Sequence, residues 1–126
     1  MSLTLALILA LTVKHFLCDF PLQADPWLYG NKGKYGHPGG ITHATIHLAG
    51  TLIALDVCGV TWPAVSVLAL ADGLIHYHID FAKMRLNAHF GLKPDNSEWF
   101  WILLGFDQLL HGLTYIAIVW WVTEWA

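Results

Sequence analysis

Four apolar segments, each long enough to cross a lipid bilayer as a helix, leave this chain few possible folds. They cover residues 2–27, 38–56, 62–86 and 97–125, and short loops containing Gly or Pro separate them. Only 12% of the 126 residues are charged, about half the share found in soluble domains. The sequence therefore predicts an all-α membrane protein with a single four-span domain over residues 1–126, folded as a four-helix transmembrane bundle with short loops.

The distribution of basic residues predicts the orientation of these spans. Five of the six lie in or beside the first and third loops, namely Lys32, Lys34, Lys83, Arg85 and Lys93. Cytoplasmic loops are enriched in Lys and Arg, so residues 29–37 and 87–96 are predicted to be cytoplasmic and both termini outside. Residues 32–34 are interpreted as a flexible basic loop, and Pro21 predicts a kink or break in the first helix.

Ionisable residues recur inside all four segments, often four positions apart. Residues four apart in a helix lie one turn apart on the same face, so each helix presents a polar stripe. The stripes occupy one half of the predicted bundle and are expected to converge in its interior. The candidate metal ligands are His15, Asp19, His43, His47, His76, Asp80, Asp107 and His111. His78 points away from the stripe on its helix and is left out.

Imidazole and carboxylate groups are ligands of zinc, iron and manganese. Zinc is the preferred candidate, and the number of ligands suffices for two ions. Asp19 is a candidate ligand or general base, Lys83 could neutralise a phosphate, and Gln108 could orient a water molecule or a substrate oxygen. The same stripes are also consistent with a structural hydrogen-bond network or a proton relay.

Four motifs carry a family resemblance that covers nearly the whole chain. They are His15-Phe-Leu-Cys-Asp19-Phe-Pro-Leu-Gln23, His43-Ala-Thr-Ile-His47, the stretch from His76 to Lys83, and Asp107-Gln108-Leu-Leu-His111. These motifs resemble an uncharacterised family of small bacterial and phage membrane proteins, a domain of unknown function. The resemblance implies a location in the bacterial inner membrane and brings no activity. A looser similarity links the chain to membrane-bound metal-dependent hydrolases.

Three functions follow as hypotheses. The leading one is a metal-dependent hydrolase that acts on a lipid or lipid-linked phosphate reached from the bilayer. The second is a subunit of a metal or proton transporter or channel. The third is a non-catalytic membrane factor, for instance in phage lysis or host interaction. The net charge of -3 predicts no nucleic-acid partner. Gly105 and Gly112 form a seam that suits packing within the chain or in a homo-oligomer.

Overall fold

The structure, a computed structural model, describes residues 1–125, and these contain helices and no strand. The five helices are α1 (Leu3–Asp19), α2 (Pro26–Tyr29), α3 (Pro38–Val57), α4 (Trp62–Phe90) and α5 (Glu98–Trp125). The predicted all-α class is confirmed.

Local sequence signals explain where the long helices begin and end. The Ser2 side chain accepts a hydrogen bond from the backbone N–H of Leu5 and caps α1. Pro38 and Pro63 lie in the first turns of α3 and α4, where the missing N–H of proline does no harm. Helix α4 ends at Gly91, whose φ of 62° is in the left-handed region that glycine tolerates. The helix therefore runs one turn past residue 86, the predicted end of the third span.

The first apolar segment is not one helix. Helix α1 ends at Asp19, and the chain then turns through Pro21 before the four-residue helix α2 begins at Pro26. The break expected at Pro21 is present, so α1 is shorter than the segment of residues 2–27. This break redirects the chain after Asp19 and brings the following loop against the polar ends of the neighbouring helices.

The four long helices pack in cyclic order. Helices α1 and α4 each pack against α3 and α5, and α2 packs against α3. Two glycines allow close approach: a Cβ at Gly50 would lie 2.9 Å from Lys14 Cγ, and one at Gly73 would lie 3.0 Å from Leu48 Cβ. Small residues at such contacts let helix backbones come together.

The interior is divided along the helix axes into an apolar half and a polar half. The apolar half lies near the N-terminus and the α3–α4 connection, and its main members are Leu7, Leu11, Leu55, Val65, Ile118, Val119 and Val122. The polar half lies toward α2 and the α4–α5 connection. Two helices, α3 and α5, are long and apolar enough to cross a membrane.

Candidate metal centre

Helices α3 and α4 place their polar stripes side by side in antiparallel register. Successive turns of the two helices form the pairs His43 with Asp80, His47 with His76, and Thr51 with Asp72. The four-residue spacing on each helix keeps all of these side chains on the facing surfaces. The stripe on α5 continues the arrangement, because His111 stacks on His76 with 4.2 Å between ring centroids.

Asp19, at the end of α1, is the centre of the first group of ligands. Its Oδ1 lies 3.1 Å from the Nε2 of His47, 3.2 Å from that of His43 and 3.6 Å from that of His76. The Nε2 atoms of His43 and His76 also lie 3.0 Å from each other. All four side chains are at most 4% exposed. Three imidazoles and a carboxylate therefore offer four ligand atoms around one small volume, and such a group could hold a metal ion.

Hydrogen bonding alone leaves these imidazoles incompletely satisfied. The Nδ1 atoms of His43, His47 and His76 are buried and have no hydrogen-bond partner within residues 1–125. A neutral imidazole carries one donor and one acceptor nitrogen, so each ring leaves one of the two unused. Buried polar groups are nearly always paired, and an ion bound at Nε2 would leave the proton on Nδ1 still without an acceptor, so the unpaired Nδ1 atoms do not by themselves indicate a metal.

A second group of ligands shares His76 with the first and adds Asp80 and His111. The Nε2 of His111 is buried without a hydrogen-bond partner in the described chain. It lies 3.5 Å from Asp107 Oδ1 and 3.7 Å from Asp80 Oδ1. These distances are long for hydrogen bonds but suit two ligands that each lie about 2.0–2.2 Å from a common ion.

Two lysines neutralise part of the negative charge of the centre. Lys32 Nζ lies 2.7 Å from Asp80 Oδ2 and donates to Gln23 Oε1, also at 2.7 Å. Lys83 Nζ donates to Asp107 Oδ2 at 3.1 Å and lies 3.7 Å from Asp80 Oδ1. Three carboxylates, those of Asp19, Asp80 and Asp107, thus face two ammonium groups. One negative charge remains when the histidines are neutral, and this favours cation binding.

The burial of Lys32 corrects an expectation. The sequence of residues 32–34 was interpreted as a flexible basic loop, but the Lys32 side chain is only 2% exposed. The break after Asp19 folds this loop back onto the helices, and the buried carboxylate of Asp80 supplies the partner that a buried ammonium requires. Lys34 stays exposed and donates to Asn31, as a surface lysine would.

His15 lies beside the first group of ligands but not within it. Its Nε2 lies 2.9 Å from Gln108 Oε1 and 3.3 Å from Asp19 Oδ2, and its Nδ1 lies 2.9 Å from the Tyr115 hydroxyl. Both ring nitrogens are therefore already in contact with protein groups.

A separate buried cluster lies between the metal centre and the apolar half. Lys14 Nζ donates to Asp72 Oδ2 at 2.7 Å and to the Tyr115 hydroxyl at 3.3 Å, and Thr51 donates to the same carboxylate oxygen at 2.6 Å. Lys14 is the remaining one of the six basic residues of the chain, and it lies in the middle of the first apolar segment. A lysine inside an apolar helix needs a buried partner, and Asp72 stands in a similar position in the third segment. These two facts predict that Lys14 has a buried carboxylate partner, but they do not select Asp72 among the aspartates of the apolar segments.

The structure thus brings most of the candidate ligands together. Six of the eight form the two groups, namely Asp19, His43, His47, His76, Asp80 and His111. Asp107 lies at the edge of the second group, and His15 lies outside both. The candidate catalytic residues Lys83 and Gln108 both donate to Asp107, so neither side chain is free to swing toward a ligand without breaking that contact. The ligand and catalytic roles stay predictions.

These features describe an all-helical protein with a buried His and Asp cluster that could hold a metal ion. Residues 7–126 match the family described as "Protein of unknown function (DUF3307)", and the chain belongs to this family. The predicted resemblance to an uncharacterised family is confirmed. No curated protein matches the chain. No solved structure matches it either.

Proposed function

We propose that the chain is an integral membrane protein in which all four long helices span the bilayer. The distribution of side chains supports this proposal, because it is the reverse of that in a soluble domain. Eleven polar or charged residues are buried, whereas large apolar side chains such as Leu9, Phe16, Ile53, Val67 and Ile116 are 52–66% exposed on the outside of the helices. Extensive exposed apolar surface of this kind marks contact with a membrane or a partner.

The proposed orientation rests on the basic residues that remain exposed. Lys32 and Lys83 are engaged in the interior, so the exposed ones are Lys34, Arg85 and Lys93. All three lie on the side of α2 and the α4–α5 connection. The positive-inside rule then places this side in the cytoplasm and both termini outside, as expected for a protein of the bacterial inner membrane.

Within this membrane protein we propose a zinc centre held by Asp19, His43, His47 and His76. The observation that carries the proposal is the convergence of three Nε2 atoms on one carboxylate oxygen, with two of the nitrogens 3.0 Å apart. Three imidazoles and a carboxylate suit a tetrahedral zinc ion when all four bind, and with Asp19 acting as a base instead, the three imidazoles would leave the fourth position open to a water molecule. With zinc ions at this zinc centre and at the His111 group, and with neutral histidines, the three carboxylates, the two lysines and the two ions would together carry a net charge of +3. We therefore propose that this second position fills only together with an anion such as a phosphate.

The proposed activity is hydrolysis of a lipid or lipid-linked phosphate. A zinc ion lowers the pKa of a water molecule to about 7 and thereby supplies a nucleophile at neutral pH. Asp19 would act as ligand or base, while Lys83 and Gln108 line the more accessible edge of the centre. His15 and Lys83 are 14% and 11% exposed at this edge, against 0–4% for the members of the two ligand groups. The edge lies between α1, α4 and α5, where a lipid could approach laterally.

The transport alternative has less support. A path for protons or metal ions requires polar groups from one membrane face to the other. The polar interior of this chain ends at Thr51, Asp72 and Tyr115, and the apolar half beyond them is packed with side chains such as Leu7 and Leu55, which are 0% exposed. A monomer with this interior has access to the centre from one side only, which suits an enzyme better than a transporter or channel subunit.

The remaining alternative is a non-catalytic membrane factor in which the polar cluster only holds the helices together. Metal content separates it from the hydrolase. Protein made without a His tag, purified in detergent without chelator and reconstituted with zinc, would be analysed by mass spectrometry. We expect one equivalent of zinc in the wild type and less than a tenth of this in His76→Ala and in the milder variant His76→Gln.

His78→Ala is the matched control, since His78 lies two residues along the same helix and contacts Tyr35 rather than the cluster. This variant should keep its zinc. Absence of zinc from the wild type, or equal zinc in all four proteins, would refute the metal centre and favour the locking role. If the wild type binds zinc, the hydrolase is tested next by measuring phosphate release from lipid phosphates in mixed micelles. Release by the wild type that is lost in both His76 variants would support it.

A further inference from the structure

One chain of hydrogen bonds crosses the interior from Asp107 to Asp72 and has a fixed direction. At its first end, Gln108 Nε2 lies 3.1 Å from Asp107 Oδ2. An ionised carboxylate only accepts hydrogen bonds, so the Gln108 amide must turn its NH2 group toward Asp107. Its carbonyl oxygen Oε1 then faces His15 Nε2 at 2.9 Å and accepts from it.

The contacts at the opposite end of the chain agree with the same direction. The ammonium of Lys14 only donates, and it contacts both Asp72 Oδ2 and the Tyr115 oxygen. The Tyr115 oxygen therefore receives a hydrogen bond, which leaves the Tyr115 O–H free to donate to His15 Nδ1 at 2.9 Å. The Gln108 end places the proton of His15 on Nε2, and the Tyr115 end supplies a donor to Nδ1, so both ends fit one state in which Nδ1 accepts and Nε2 carries the proton.

We propose that Lys14, Tyr115 and Gln108 are positioning residues that fix the tautomer of His15 with its proton on Nε2. This proton points toward Gln108 Oε1 and Asp19 Oδ2, which lies 3.3 Å away. Asp19 is thereby engaged on Oδ2, while Oδ1 stays directed at His43, His47 and His76. His15 is then not a metal ligand, in contrast to its place among the candidates from the sequence.

The chain of hydrogen bonds from Asp107 to Asp72 also explains why a buried ion pair lies next to the candidate centre. Lys14 and Asp72 are 5% and 2% exposed, and within residues 1–125 the Tyr115 hydroxyl connects them by hydrogen bonds to His15 beside the ligand groups. Groups that orient the ligands of a metal contribute to its affinity, and their loss typically costs about 10–100-fold in metal binding. The part of this inference that concerns zinc rests on the proposed function, whereas the tautomer of His15 does not.

The experiment is 15N NMR of the histidine side chains in detergent micelles, with and without zinc. We expect the His15 ring to show a proton on Nε2 and none on Nδ1 in both samples. Tyr115→Phe removes the donor to Nδ1 and keeps the ring, so His15 should become a mixture of tautomers. Gln108→Met removes the acceptor at the other nitrogen and should have the same effect, which covers the case that one variant fails to fold.

Tyr35→Phe is the matched control, because Tyr35 also contacts a histidine, His78, but on the exposed surface. The control should leave the His15 signals and the zinc affinity unchanged, whereas Tyr115→Phe should weaken zinc binding about 10–100-fold at unchanged stoichiometry. A proton on Nδ1 of His15, or loss of the Nε2 proton when zinc binds, would overturn the proposal. A protein that binds no zinc refutes the proposed function alone, since the tautomer is measured without metal.

Discussion

Replacing Lys14 by methionine tests the energetics of the buried interior most directly. The ammonium of Lys14 lies 2.7 Å from Asp72 Oδ2, and the two side chains are 4% and 2% exposed. At this separation the Coulomb attraction is about 6 kcal/mol with an effective dielectric constant of about 20. Desolvation of both groups offsets much of this attraction, so the intact pair is worth far less than its Coulomb energy.

Removal of one partner has a larger effect, because the other charge stays buried and unpaired. Such changes cost about 3–5 kcal/mol of unfolding free energy, and we expect a loss in this range for Lys14→Met. The Thr51 hydroxyl still donates to Asp72 in this variant and keeps the loss toward the lower end. Asp72→Asn should cost a similar amount, since it leaves the Lys14 ammonium without a carboxylate.

The double variant Lys14→Met with Asp72→Asn contains no unpaired charge. We therefore expect it to be more stable than either single variant, with a coupling energy of at least about 3 kcal/mol in the double-mutant cycle. The assay is unfolding by SDS in mixed micelles, followed through the fluorescence of the seven tryptophans. Lys34→Met, at an exposed lysine, is the control and should stay within about 0.5 kcal/mol of the wild type.

Losses that simply add in the double variant, to within about 0.5 kcal/mol, would refute the reasoning. Additivity would mean that Lys14 and Asp72 do not share a buried contact. The register of α1 against α4 would then differ from the one described.

Three further predictions follow from other contacts. Zinc at about 100 times its dissociation constant should raise the unfolding free energy of the wild type by about 2.7 kcal/mol. Asp19→Asn should abolish this gain, and an equal gain in the wild type and the variant would show that Asp19 is not part of the centre. Lys32→Met should cost about 3 kcal/mol in the SDS assay because Asp80 loses an ammonium 2.7 Å away, and an effect typical of surface lysines would contradict its burial. Gly39→Ala should lower the stability of the fold, since the new Cβ would lie 2.6 Å from a backbone oxygen of α2. The new Cβ of Gly112→Ala has no atom of the described residues within 4 Å, so this variant should gain up to about 1 kcal/mol of stability. Thermal melts that rank the two variants the other way would contradict the packing.

Part of the candidate centre could be predicted because its signals are local. The spacing between His43 and His47, or between His76 and Asp80, places each pair on one helix face whatever the helix packs against. Apolar stretches and the turn residues between them likewise predicted helices at α3, α4 and α5. The break after Asp19 was expected from Pro21, because proline removes a backbone donor and disrupts a helix interior.

Only the tertiary structure decided which of these faces meet and what each side chain contacts. Lys14 and Asp72 are 58 residues apart in the chain, and their pairing depends on the rotation and register of two helices. The same holds for Lys32, which was expected in a flexible loop and is buried against Asp80. It also holds for His15, whose spacing from Asp19 suggested a pair of ligands. The His15 nitrogens instead face Tyr115 and Gln108. The sequence by itself determined which residue types lie along each helix, since helix periodicity is a property of the backbone. Contacts between helices arise only when the whole chain minimises its unpaired buried charge and empty volume, and no local spacing contains that information.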